Sequence, residues 1–179
     1  YYHWLKPFSF AFRAMSYNTF EQKSYSVYPT FIAQMGLVRG YYDYFFNNTI
    51  MDDNDIAYDQ MIGSKLLLGN FEVRLPLTGI RRLALIKSKY FMSDLALFFD
   101  AGIAYEDYSH LRDETELVIV EYFPDGTYRT EYRKPALVMS TGVALRFNLM
   151  GALIVEPYVA WPLQENTKAV FGVNLVPGF

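Results

Sequence analysis

Residues 136–149 read Ala-Leu-Val-Met-Ser-Thr-Gly-Val-Ala-Leu-Arg-Phe-Asn-Leu, and this stretch decides the fold. Its side chains alternate between two classes, which is the period-2 signature of a β-strand. The apolar face consists of Leu137, Met139, Thr141, Val143, Leu145, Phe147 and Leu149, and the opposite face carries Ala136, Ser140, Gly142, Ala144, Arg146 and Asn148. Such a strand predicts two surroundings, hydrocarbon on one side and an aqueous or plugged interior on the other.

Six further segments show the same alternation, at residues 7–17, 25–35, 64–77, 93–106, 152–162 and 168–176. Glycine and alanine recur beside charged residues on the polar face, as the interior of a wide barrel tolerates. We therefore predict an all-β fold, an antiparallel transmembrane β-barrel to which this chain contributes about seven strands. An odd number of strands leaves open edges, which hydrocarbon does not tolerate, so we expect more strands upstream.

Composition excludes several other classes of protein. No run of about 18 uncharged apolar residues could form a membrane helix. A net charge of −3, with only the short basic clusters Arg81-Arg82 and Lys87/Lys89, gives no reason to expect nucleic acid. The absence of cysteine removes disulfides and thiol nucleophiles, and His3 and His110 have no catalytic neighbours in sequence. We expect no enzyme activity, no cofactor and no metal. The start at Tyr1, without a signal peptide, indicates a piece of a longer chain.

The connections between segments alternate between short and long. Residues 36–63 and 107–135 are predicted extracellular loops, and residues 148–151 a tight periplasmic turn. Within the second loop, residues 117–122 and 128–132 flank Pro124-Asp125-Gly126 and predict a hairpin. Residues 78–92 are too long for a periplasmic turn, and the pattern does not explain their length. The acidic residues 52–55 could gather calcium ligands but lack EF-hand spacing, which favours a solvated loop.

Val38-Arg39-Gly40-Tyr41 is where the chain resembles the bacterial surface antigen superfamily of outer-membrane barrels, which includes BamA-like and TamA-like proteins. Further features follow in the family's order: residues 69–77, Phe98-Phe99-Asp100-Ala101-Gly102, the strand at 142–148 and an aromatic end at Phe179. More narrowly, residues 7–14, 37–41 and 173–179 resemble barrels that follow a TolB-like β-propeller in one polypeptide.

The resemblance implies a sixteen-stranded barrel in the bacterial outer membrane, of which this chain is the C-terminal portion. It implies a role in inserting or moving protein or lipid, next to membrane lipid, periplasmic domains of the same polypeptide and other outer-membrane or secretion components. It also implies that the loop Val38 to Tyr41 folds back into the lumen. Arg39 would then need partners, and strand parity places Glu72 and Asp100 inward on adjacent strands. Gly40 would permit the turn. The alternative is a solvated Arg39.

The last predicted strand would form the C-terminal side of the barrel seam, where it could pair with a client strand. Its residues of interest are Lys168, Phe171, Gly172, Asn174, Leu175 and Phe179. Pro177 departs from the family's pattern because proline cannot donate to a ladder. Two other functions stay open: a passive porin or plugged structural anchor within a larger complex, and a soluble all-β binding domain.

Overall fold

The computed structural model describes residues 7–18, 30–33, 36–41, 58–79, 84–88, 91–105, 117–122, 128–149, 152–163 and 168–177. Over this part the chain is all-β, as predicted, and it includes the short 3-10 turn Tyr58–Met61. No helix among the described residues is long and apolar enough to cross a membrane.

The strands differ greatly in length. In chain order they are β1 (Ser9–Asn18), β2 (Thr30–Phe31), β3 (Ile62–Gly63), β4 (Lys65–Gly79), β5 (Ile86–Lys87), β6 (Phe91–Tyr105), β7 (Leu117–Tyr122), β8 (Tyr128–Arg133), β9 (Leu137–Leu149), β10 (Leu153–Pro162) and β11 (Val170–Pro177). The six long strands form one antiparallel sheet in the order β1-β4-β6-β9-β10-β11, and β5 joins β4 as its seventh strand. Strands β7 and β8 pair as the predicted hairpin.

The two faces of this sheet have the predicted character. We call them the apolar face and the polar face. Leu97 and Leu137 on the apolar face are 56% and 54% exposed, whereas Asn70, Glu72 and Asp100 on the polar face are buried. A soluble sandwich would have the opposite arrangement, because its apolar side chains pack inward. Tyr105, at the end of β6, is buried, and Gly63 lies against its backbone.

The prediction of a wall strand at residues 25–35 is wrong for the part that the structure describes. Strand β1 pairs directly with β4, from Ser9 opposite Arg74 to Asn18 opposite Lys65, which leaves no place for a strand between them. Residues 30–31 instead pair with β3, and Ile32 is buried against Gly102 on the polar face. Alternation alone does not distinguish a lipid-facing strand from a short extended segment that packs inside.

The long turn after β4 has a structural explanation. Strand β1 begins at Ser9, opposite Arg74, so the last residues of β4 have no β1 partner. Strand β5 pairs there in parallel, with Ile86 opposite Thr78. The backbone N–H of Leu85 donates to Pro76 O at 3.2 Å, and that of Ser88 donates to Gly79 O at 2.9 Å. The extra residues let the turn fold back and occupy the edge of β4.

A small apolar core lies between the polar face and the chain segments that cover it. Its buried members are Ile32, Ala33, Val38, Tyr41, Met61, Leu66, Leu68, Ala104 and Val138. These residues come from residues 30–41, from the 3-10 turn and from strands β4, β6 and β9. The core therefore attaches non-strand segments to one side of the sheet by burying apolar surface.

Candidate functional site

Residues 36–41, which we call the inner loop, lie against the polar face of the sheet. Gly36 and Gly40 adopt positive φ angles of 80° and 92°, which glycine permits at little cost. A Cβ atom at Gly40 would lie 2.7 Å from the Cβ of Ala160 in β10. Gly40 therefore has two reasons to be glycine, the turn that the sequence predicted and a close approach to the sheet that it did not.

Tyr41 fixes the C-terminal end of the inner loop to β9. Its hydroxyl donates to Met139 O at 2.9 Å and accepts from the Met139 N–H at 3.1 Å. The paired residues of β9 and β10 end at Ser140 and Pro162, and Met139 O also accepts from the Leu163 N–H at 2.8 Å. The tyrosine ring is itself buried, in the apolar core next to Val38.

Arg39 lies between Gly36 and Tyr41 in the inner loop and makes a forked contact with Asp100 of β6. Its Nε and Nη2 donate to the two carboxylate oxygens at 2.7 and 2.8 Å, and its backbone N–H donates to Oδ2 at 3.2 Å. Arg39 is 6% exposed and Asp100 is 0% exposed. Bidentate, charge-assisted hydrogen bonds of this kind fix position as well as charge.

The third nitrogen of the guanidinium reaches carboxylates on two further strands. Arg39 Nη1 lies 2.9 Å from Glu72 Oε1 in β4 and 3.1 Å from Glu156 Oε1 in β10. The structure thus brings Arg39 together with both acidic residues that the sequence proposed as its partners. Glu156 was not predicted from the sequence as a partner of Arg39. It is, however, the single acidic residue in strands β9, β10 and β11, and strand alternation places it on the polar face.

The ring of Phe98 packs against the flat face of the Arg39 guanidinium. The Cζ of Arg39 lies 3.7 Å from the centroid of the Phe98 ring, within the range of a cation–π interaction. Phe98 meets Tyr158 edge to face at 6.2 Å. A Cβ at Gly142 would lie 2.5 Å from the Phe98 ring and would also overlap Val159 O. Gly142 therefore leaves the space in which the Phe98 ring lies, a role that its sequence position does not reveal.

Asn70 links the inner loop to β1 and β6. Its Nδ2 donates to Leu37 O at 3.0 Å and to Asp100 Oδ1 at 2.8 Å, while its Oδ1 accepts from Arg13 Nε at 2.8 Å. Arg13 Nη2 also donates to Gly36 O, at 2.7 Å. The backbone at the N-terminal end of the loop is thus bonded to side chains of the wall.

The two glutamates have partners besides Arg39. Glu72 Oε2 accepts from Arg74 Nε at 2.7 Å and from Arg146 Nη1 at 3.2 Å. Arg146 Nε lies 3.1 Å from Glu156 Oε2, and Asn174 Nδ2 donates to Glu156 Oε1 at 3.2 Å. The carboxylates are therefore shared among arginines, so that the charges of the site largely balance.

Burial and charge act in opposite directions on Arg39. Burial by itself would lower the pKa of Arg39, but the hydrogen bond to Asp100 and the negative charges of Asp100, Glu72 and Glu156 raise it above its ordinary value. The guanidinium therefore remains charged. Removing one partner of such a buried ionic group commonly costs about 3–5 kcal/mol, because the other charge is left uncompensated.

A cavity of about 390 Å³ with many charged residues in its lining adjoins the network. It is lined by Arg13, Arg39, Arg74, Arg146, Glu72 and Glu156, among others. The fixed ion pairs at its wall can hold the inner loop in place and can keep this part of the interior hydrated.

The remaining predicted site residues are placed as follows. Phe171 and Leu175 are exposed on the apolar face of β11, whereas Gly172 and Asn174 are buried on the polar face. Lys168 precedes β11 and is exposed. Phe179, the acidic residues 52–55, His3 and His110 lie outside the described residues.

A sheet with an exposed apolar face, and a polar face covered by an ion-paired loop, has the organisation of a barrel wall. The Omp85 superfamily domain model matches residues 1–170, and the chain therefore belongs to the Omp85 superfamily. Domains of this superfamily are bacterial outer-membrane proteins of an assembly and translocation type, which work with other outer-membrane and periplasmic components. This membership confirms the resemblance to the surface antigen superfamily. Neither a curated protein nor a solved structure matches the chain.

Proposed function

We propose that this chain forms part of the transmembrane wall of an outer-membrane barrel that inserts protein into the membrane, or moves protein or lipid across it. The inner loop braces the interior of that barrel. The observation that carries the proposal is the contact of one buried guanidinium with carboxylates on β4, β6 and β10. A loop held this way ties together strands that are not all neighbours.

The two free edges of the sheet indicate that it is only part of a barrel wall. Within the described residues, β1 and β11 each have one long neighbour, β4 and β10 respectively. Unpaired strand edges are not tolerated in hydrocarbon, so further strands must pair with both. We propose that the apolar face contacts lipid and that the turn between β9 and β10 is periplasmic. The connections from β1 to β4 and from β6 to β9, which include residues 36–63 and 107–135, then join the strands on the extracellular side.

The inner loop favours this role over that of a passive porin. A porin needs an open aqueous lumen, whereas here the loop and the apolar core cover much of the polar face. We further propose that the site is structural and needs neither catalysis nor a cofactor. Its support is that Asp100, Glu72 and Glu156 all have arginine partners.

The test compares the wild-type full-length polypeptide with Arg39→Ala and Arg39→Lys, and Lys134→Ala is the control at an exposed position. We expect a small, flickering conductance in planar bilayers for the wild type and the control. Arg39→Ala should give larger openings, faster proteolysis within residues 36–63 and weaker heat-modifiability. Lysine keeps the charge but loses the fork, so Arg39→Lys should fall between them.

Two outcomes would contradict the proposal. A large, steady, ohmic conductance in the wild type would favour the porin. Unchanged protease resistance and heat-modifiability in Arg39→Ala would show that the loop does not brace the barrel.

A further inference from the structure

The turn between β4 and β6 has a composition that the barrel wall does not require. Residues 80–90 read Ile-Arg-Arg-Leu-Ala-Leu-Ile-Lys-Ser-Lys-Tyr, with four basic residues, no acidic residue and several large apolar ones. The chain as a whole carries a net charge of −3, so this concentration of positive charge is local. A segment that is both basic and apolar is the kind that binds the surface of an anionic membrane.

Two apolar residues of this turn that the structure describes, Leu85 and Ile86, face the outside. Leu85 and Ile86 are 62% and 63% exposed, although backbone hydrogen bonds to Pro76 and Gly79 hold their segment at the end of β4. Lys87 is exposed beside them. Leu85 and Ile86 are therefore exposed although their backbone is held in place by hydrogen bonds. Their side chains could be buried only against another molecule or a membrane.

Ile86 continues the apolar face of the wall. Ile86 pairs with Thr78, so the two side chains lie on the same face. Thr78 Oγ1 lies 2.8 Å from Ser93 Oγ in the neighbouring strand β6. Alternation along β6 places Ser93 on the same face as Leu95 and Leu97. On the same face, the ring of Phe91 packs 5.6 Å from that of Phe147. Ile86 thus adjoins the rim of the surface that the proposed function assigns to lipid.

We infer that this turn is a docking site for the headgroup layer of the periplasmic leaflet, with anionic phospholipid as its ligand. Ile86 enters the boundary between headgroups and acyl chains, while the positive charge of the turn attracts lipid phosphates. The turn is long for two reasons: β5 within it pairs with the free edge of β4, and the turn contacts the lipid headgroups. The inference rests on the proposed function, because it needs this end of the sheet to lie at the membrane surface.

The absence of cysteine from the chain allows a sharp test. In a full-length polypeptide whose introduced cysteine is the only one, Ile86→Cys is labelled with an environment-sensitive fluorophore. Leu97→Cys, in the middle of β6, and Leu163→Cys, exposed at the opposite end of the sheet, are labelled as controls. Each protein is placed in vesicles of phosphatidylcholine, alone or with about one third phosphatidylglycerol, with spin-labelled lipids as quenchers of known depth.

We expect the label at position 86 to be quenched by shallow spin labels, more strongly when phosphatidylglycerol is present. The label at position 97 should be quenched by deep ones. The combined change Arg81→Gln, Arg82→Gln, Lys87→Gln and Lys89→Gln should abolish the dependence on phosphatidylglycerol at position 86. Should that variant fail to fold, raising the salt concentration with the wild-type turn should have the same effect, because salt screens these charges.

The other outcomes separate the two proposals. If the label at position 86 is quenched by iodide in water, or is protected from both water and lipid, while position 97 reports deep lipid, the turn binds no membrane and only this inference fails. Lipid quenching at position 86 that changes neither in the four-residue glutamine variant nor with salt concentration would overturn the recognition of anionic lipid. If position 97 also reports water, the transmembrane wall itself is refuted.

Discussion

Arg39 occupies a position that only arginine can fill. Three of its nitrogens contact three carboxylates: Nε and Nη2 hold Asp100, and Nη1 lies between Glu72 and Glu156. A lysine ammonium is a compact point charge and cannot form the fork and reach the other two acids together. The flat guanidinium also lies over Phe98, which a lysine would contact less well. The geometry of the side chain, more than its charge, joins the strands.

The two glycines of the inner loop provide a matched test of how closely the loop must approach the sheet. Both have positive φ, so alanine at either is strained by about 1–2 kcal/mol. A Cβ at Gly36 meets nothing within 4 Å, whereas one at Gly40 meets Ala160. We therefore expect Gly40→Ala to lower the free energy of unfolding by about 1–3 kcal/mol more than Gly36→Ala does. Urea unfolding of the full-length barrel measures this difference, and equal values would mean that the contact with β10 is unimportant.

At the scale of the strands, the ladder between β9 and β10 is interrupted. Val155 pairs with Phe147 and Tyr158 with Ala144, but neither Glu156 nor Pro157 forms a pair with β9. Proline has no N–H to donate, which accounts for part of the gap. The register places Arg146 opposite Glu156, and these two side chains form an ion pair at 3.1 Å. Side-chain contacts thus span the place where backbone hydrogen bonds are missing.

This gap predicts how firmly the hairpin of β10 and β11 is attached. Glu156→Gln keeps the shape of the side chain but removes its charge, so the bonds from Arg39 and Arg146 weaken. We expect amides of residues 153–177 to exchange about tenfold faster in this variant, since hydrogen bonds to charged groups contribute about 1.5–3 kcal/mol. Pro157→Val restores an N–H and should slow the same exchange. Hydrogen exchange read by mass spectrometry tests both, and no change in either variant would mean that the gap is mechanically irrelevant.

For the whole molecule, strand positions and face assignments follow from parity because an extended chain must alternate. The six long strands accordingly begin and end within two residues of the predicted segments. Parity also placed Glu72 and Asp100 on one face, and the family resemblance directed Arg39 towards them. Glu156 and Phe98 became visible only in three dimensions, because their roles depend on which strands become neighbours. The misassigned residues 25–35 share the alternation of a wall strand, yet Ile32 finds its apolar surroundings inside.

The final prediction concerns the solvent of the apolar face. Leu97, midway along β6, and Leu137, at the start of β9, are almost equally exposed. In water, arginine at either exposed position would change the free energy of unfolding by no more than about 0.5 kcal/mol. In a bilayer, depth decides the cost, about 2–4 kcal/mol near the midplane and about 0–1 near the interface. We therefore expect Leu97→Arg to destabilise the barrel in lipid vesicles by several times more than Leu137→Arg. Similar small effects at both positions would place the apolar face in water and overturn the transmembrane assignment.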